Sequence, residues 1–234
     1  MPKLFIPANP DRLSKVFWGC YFERSVKRHF QRCLVTGEEH LQPTLVRDSS
    51  APYPTIIVCT HGSWWDAAVT IVMSLRTYNL DAYGLMEHRQ LAKYRFFSRI
   101  GMFSVIRENA RSALSSLQYA ASLLRGSDRI LWMFPQGTLI SQETAIIECE
   151  AGIAILAKML GTVRIVPLAL RYEVLRNKKP TCWAAFGEPL LIDWTPASTI
   201  AQVTGKVSHA LTILSTNVRN DAINENDASY RSFI

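Results

Sequence analysis

Within Thr55-Ile56-Ile57-Val58-Cys59-Thr60-His61-Gly62-Ser63-Trp64-Trp65-Asp66-Ala67-Ala68-Val69 the chain changes from one apolar pattern to another. Residues 55–59 are apolar or β-branched without a polar alternate and follow Pro54, which fits a strand covered on both faces. From Trp64 to about Tyr78, Ala67, Ala68, Val69, Ile71, Val72, Met73 and Leu75 surround a helix almost completely, which predicts a buried helix. A buried strand that enters a buried helix through a short polar turn is the unit from which parallel sheets are built.

The same unit recurs downstream. Strands are expected at Ala82–Met86, Phe103–Ile106, Ile130–Phe134, Val163–Leu170 and Cys182–Phe186. Between them Asn109 can cap a helix that carries Leu114, Leu117, Ala121 and Leu124 on one stripe and stops at Gly126. A further helix is expected over Glu150–Leu160, ended by Gly161. The fold class that follows is α/β, a mainly parallel central sheet with helices on both faces, preceded by an N-terminal amphipathic helix. Residues 51–220 form the domain, residues 1–50 an N-terminal helical segment and residues 221–234 a flexible tail. In the N-terminal segment Trp18, Phe22, Val26, Phe30 and Cys33 recur at helical spacing, with Arg24, Lys27, Arg28 and Arg32 on the other side. Such a helix either docks on the domain or lies in a membrane interface with its cations near anionic lipid.

Composition narrows the function classes. The chain has 234 residues, of which 48% are apolar and 19% charged, so a sizeable core is available and general disorder is excluded. Its net charge of +7 suits anionic headgroups or polyanionic small molecules. Nucleic acid is not expected as a partner, because no recognition motif accompanies the scattered basic residues. The five cysteines include no C-x-x-C pair, which argues against a zinc site or a disulfide framework. The N-terminus lacks the pattern of a secretory signal, and no apolar run reaches the roughly 18 residues a membrane span needs.

Four short motifs carry chemistry. His61 precedes Asp66 by five positions at a strand-to-helix junction. Within one helix these side chains would point about 140° apart, so they meet only if His61 lies in the loop and the chain turns before Asp66. Gly62 allows such a turn and Ser63 is a suitable N-cap. Asp66 can then fix the imidazole tautomer, or it can serve the helix start in a Ser63-x-x-Asp66 capping arrangement. Phe134-Pro135-Gln136-Gly137-Thr138 follows another strand as a tight turn whose N–H groups can face an anion. Gly101 to Arg107 is a turn, a strand and a terminal arginine able to clamp phosphate. Val166-Pro167 places proline in an apolar strand, which marks an edge, a bulge or a strand start.

In this order and spacing the motifs resemble the glycerolipid acyltransferase family, which includes the lysophosphatidic acid and lysophospholipid acyltransferases, over about residues 50–190. The resemblance implies His61 as general base and Asp66 as its orienting partner. It also implies Arg107 as a phosphate ligand, and Pro135, Gln136, Gly137 and Thr138 as lining of the acceptor site. It further implies an acyl thioester donor, acyl-CoA or an acyl carrier protein, with a lipid hydroxyl as acceptor. Neither a metal nor a redox cofactor is implied, and the expected location is cytoplasmic, peripheral at the inner face of the membrane. Gln136 and Leu139 depart from the glutamate and arginine of the family's third motif, which makes a less charged acceptor the alternative.

Overall fold

The computed structural model describes residues 5–41 and 53–234, so the expected boundary near residue 50 lies outside the described residues. In chain order the first half contains α1 (Arg12–His29), β1 (Arg32–Thr36), β2 (Thr55–Cys59), α2 (Trp65–Val72), β3 (Ala82–Glu87), α3 (His88–Lys93), β4 (Met102–Val105) and α4 (Ala110–Leu124). The second half contains β5 (Ile130–Met133), α5 (Gly152–Leu160), β6 (Thr162–Glu173), β7 (Thr181–Phe186), β8 (Leu190–Asp193), α6 (Ile200–Ile223) and β9 (Arg231–Ser232).

The uninterrupted apolar run of β2 places it inside the sheet, in parallel with β5 on one side and β6 on the other. The strand order is β4-β3-β5-β2-β6-β7-β1-β9, with β8 also paired to β6. Alternate β2 residues enter opposite layers, as a period of two requires. Ile57 and Cys59 join the core made with α1 and α2, whereas Ile56 and Val58 join the core made with α4, α5 and α6. The sheet is mainly parallel and covered on both faces. β4, β3, β5 and β2 run in parallel, so their carboxyl ends meet along one edge, where ligands of open α/β sheets bind.

Several boundaries differ from the expectations. Residues 1–50 are not simply a helical segment: α1 ends at His29, Phe30 is extended, and Cys33 belongs to β1. β1 pairs in parallel with β7, with Cys33 opposite Cys182, and this non-local ladder outweighs the helical spacing that continues through Cys33. Residues 221–234 are likewise not a loose tail. α6 runs to Ile223, β9 pairs antiparallel with β1, and Phe233 is buried in the core. The helix expected over 64–78 is α-helical to Val72 and continues as a wider π-helical turn over Met73–Thr77.

Pro167 sits well inside β6, opposite Val58 of β2, contrary to the expected edge, bulge or strand start. The opposite side of β6 pairs with β8 up to Ile165 and with β7 from Leu168. Pro167 falls at this change of partner. Its carbonyl accepts from Gly187 N–H on that side, so its missing N–H points to the same place and leaves no ladder bond unmade.

Candidate active site

The loop after β2 is built around one buried carboxylate. Asp66 has no exposure and lies in the first turn of α2, where a negative charge meets the positive end of the helix dipole. Its Oδ2 accepts from His61 Nδ1 at 3.0 Å and from the Gly62 and Ser63 amides at 2.8 Å each. Its Oδ1 accepts from the Tyr172 hydroxyl at 2.8 Å. Four donors surround an ionised group that water does not reach, which satisfies its acceptor sites.

This geometry joins the two roles open to Asp66. The bond from Ser63 N–H to Asp66, with Ser63 Oγ accepting from Trp65 N–H at 3.2 Å, has the form of a helix-start cap. The same carboxylate holds the imidazole. Gly62 is required by close approach rather than by a left-handed backbone, because a Cβ there would fall 2.5 Å from Gln142 Cγ.

With Nδ1 turned to Asp66, Nδ1–H is the donor and Nε2 carries the free lone pair. Phe134 stacks on the ring with centroids 4.2 Å apart and planes inclined by 21°, which limits its rotation. The His61 side chain remains 21% exposed, enough for a hydroxyl to reach it. The loop backbone is also braced, since His61 N–H donates to Gln136 Oε1 at 2.6 Å and His61 C=O accepts from Ile140 N–H at 2.9 Å.

The structure brings all the expected site residues to this edge, with one change of role. Gln136 is buried with its amide oxygen turned back to His61, so in this chain it positions the loop rather than lining an acceptor site. A neutral amide makes that bond as a carboxylate would, without placing a second buried anion near Asp66. Pro135 has no N–H, and Gly137 N–H is used within the turn, donating to Phe134 C=O at 3.1 Å. The Gln136 and Thr138 amides have no partner among the described residues and are the loop's candidate oxyanion donors. Gly137 adopts φ 71°, and a Cβ there would lie 2.8 Å from Arg107 Nη1. The exposed Arg107 guanidinium thus rests against the turn, with no ion pair among the described residues.

Tyr172 is a functional residue that motif reading misses. It lies near the end of β6, on the face shared with Val166, Leu168 and Leu170, and this alternation is the signal that could have found it. Burial and then the charge of Asp66 push its phenol well above the ordinary tyrosine range, so it stays a neutral donor. Leu139 and Trp64 are exposed apolar side chains close in sequence to this loop: Trp64 lies three residues after His61, and Leu139 precedes Ile140, whose N–H bonds the His61 carbonyl.

A sequence profile of the acyltransferase family matches residues 32–171, which include His61, Asp66, Arg107 and the 135–138 loop. The 1-acyl-sn-glycerol-3-phosphate acyltransferase of Streptococcus pneumoniae (strain ATCC BAA-255 / R6) is 32% identical over 117 residues, 48% of this chain and 40% of that protein. The alignment therefore spans less than half the length of that relative. The crystal structure of the 1-acyl-sn-glycerophosphate (LPA) acyltransferase PlsC from Thermotoga maritima matches with a TM-score of 0.61 at 13% identity, over 88% of this chain and 79% of that one. At that identity the likeness is one of fold.

Proposed function

The chain belongs to the acyltransferase family, and we propose that it moves a fatty acyl group from an acyl thioester to a hydroxyl of a lipid acceptor such as a lysophospholipid. The observation that carries this reading is His61 Nδ1 held by the saturated, buried carboxylate of Asp66, which leaves Nε2 of this partly exposed side chain as the available base. In the reaction Nε2 takes the hydroxyl proton as the acceptor oxygen bonds to the thioester carbonyl carbon. The carbonyl oxygen becomes an oxyanion, faced by the Gln136 and Thr138 amides. The C–S bond then breaks, an ester forms, and the thiolate leaves with the proton returned by His61. Positioned general-base catalysis contributes roughly 10²–10⁴-fold. No covalent enzyme intermediate is required. Arg107 offers its planar fork to a phosphate of donor or acceptor.

A second reading of the acceptor, a sugar-bearing or uncharged lipid hydroxyl, is favoured by Leu139. This exposed apolar side chain stands beside the site where the resemblance places an arginine. A non-catalytic lipid-binding role is disfavoured, because such a protein has no use for a base held in one tautomer. The proposed location is the inner membrane face, as a peripheral protein; no described helix is long and apolar enough to cross a membrane.

The test is to incubate the purified protein with labelled acyl-CoA, or acyl carrier protein thioester, and a fractionated lipid extract, and to weigh the products by mass spectrometry. An acylated lysophospholipid supports the first reading and an acylated neutral lipid the second. Unchanged lipid with both donors refutes the enzymatic reading.

A further inference from the structure

β6 runs on past the end of β2, and the edge it leaves open lies beside the His61 loop. The last ladder pair is Cys59 with Leu168. Beyond it Thr60 acts in the place of β2, its N–H donating to Leu168 C=O at 3.1 Å and its Oγ1 accepting from Leu170 N–H at 3.0 Å. The next amide on this side is that of Tyr172, which donates to Oε1 of Gln142 at 3.3 Å. A side chain thus completes a sheet edge that no strand reaches, at the residue whose hydroxyl donates to Asp66.

The same side chain also meets the turn after His61. A Cβ on Gly62 would fall 2.5 Å from Gln142 Cγ and 3.3 Å from its Nε2. Gly62 N–H donates to Oδ2 of Asp66, and the Tyr172 hydroxyl to Oδ1. Gln142 therefore spans two chain segments that hold the two oxygens of one carboxylate. Its Nε2 is buried without a hydrogen-bond partner among the described residues. An unmade buried donor is costly. A side chain that only filled this space would carry no amide, so the Oε1 acceptor is the gain that offsets it.

Gln142 is itself held. Residues 138–149 form neither helix nor strand, and a connection of that length either serves a site or is loosely tied. This one is fastened on both sides of Gln142. Ile140 N–H donates to His61 C=O at 2.9 Å. The buried Arg171 guanidinium donates to Gln142 C=O at 3.0 Å and to Glu143 Oε1 at 2.7 Å. Further along, Ile147 N–H donates to Thr212 Oγ1 of α6 at 3.0 Å.

We propose that Gln142 is a positioning residue for the acyl transfer proposed above, the reading on which its effect on rate rests. By fixing Tyr172 against Gly62 it fixes Asp66, and through Asp66 the tautomer and aim of His61.

The experiment compares Gln142→Met, which keeps the length of the side chain and removes its acceptor, with Thr212→Val, which loosens the same connection at its other anchor. Nitrogen NMR of the histidine-labelled full chain, with the ring neutral, reports which nitrogen of His61 carries the proton. The His61 signal is identified by its loss in His61→Ala. Wild type and Thr212→Val should show the Nδ1–H form, and Gln142→Met a mixture with the Nε2–H form. Steady-state kinetics should show kcat of Gln142→Met down about tenfold with KM little changed. Thr212→Val should lose Tm and keep the wild-type kcat. Gln142→Leu repeats the test should the methionine variant not fold. A pure Nδ1–H ring in the Gln142 variant, or a mixed ring already in wild type, overturns the proposal. In an active enzyme so does a kcat that stays at the wild-type value, or a loss that Thr212→Val matches. If the ring is mixed only in the Gln142 variant while no form, wild type included, transfers acyl groups, the positioning role stands and the enzymatic reading falls.

Discussion

Replacing Tyr172 by phenylalanine removes one oxygen atom and keeps the ring that packs against Phe30. The lost hydroxyl donates to Asp66 Oδ1, whereas His61 and the two amides all donate to Oδ2. The variant therefore strips one buried carboxylate oxygen of its partner without touching the imidazole contact directly. A hydrogen bond to a charged group contributes about 1.5–3 kcal/mol. For a domain of this size that corresponds to a loss of about 3–12 °C in Tm. The carboxylate also becomes free to turn about its own axis, loosening its hold on His61. A loss of about 1.4 kcal/mol of transition-state stabilisation lowers kcat/KM about tenfold. The assay is labelled acyl transfer in wild type, Tyr172→Phe, Asp66→Ala and the double variant, with thermal unfolding followed by circular dichroism. Because Tyr172 acts through Asp66, its replacement should cost nothing further once Asp66 is alanine. An equal tenfold loss in both backgrounds, or no loss in either, refutes the reasoning.

Gln136→Ala removes the acceptor of His61 N–H, so kcat should fall about tenfold with KM little changed, an expectation that follows from about 1–3 kcal/mol for an unsatisfied buried donor; steady-state kinetics check it. Gly137→Ala forces a left-handed residue to carry a Cβ, at a cost of about 1–2 kcal/mol, and displaces Arg107. KM for a phosphate-bearing substrate should rise, and an unchanged KM would show that Arg107 is not a ligand. Alkaline pH should destabilise the fold. Burial raises the Tyr172 phenol and the Cys59 thiol, so the folded state keeps protons that the unfolded chain begins to release near its ordinary values, about 8.5 for cysteine and 10 for tyrosine. Stability from these groups is thus intact below that range and declines as pH rises through it. Urea titrations across this range should show a shallower decline in Tyr172→Phe.

The parts readable from the sequence are those set by near neighbours. The β-branched run 55–59, the buried helix after it and the Asn109 cap depend on residues within one or two turns, and each is present, the helix widening to a π-helical turn after Val72. His61 and Asp66 were legible for the same reason, since five residues and one turn separate them. What escaped depends on distant partners. Cys33 extends a helical spacing yet lies in a strand because β7 pairs with it. The apolar face of α1 that carries Trp18, Phe22 and Val26 was legible, but whether it docks or meets a membrane depends on the distant π-helical turn and Phe96 that cover it. Gln136 reads as a substrate contact until the fold turns its amide back to a backbone 75 residues away. Tyr172 meets Asp66 across 106 residues of chain, so no local pattern links them.

The most direct measurement of the central claim is acyl transfer by His61→Ala and Asp66→Ala variants whose Tm values show that they remain folded. Loss of essentially all transfer from an acyl thioester to the acceptor that wild type acylates is the predicted result. Transfer at the wild-type rate by a folded His61→Ala protein would contradict the account.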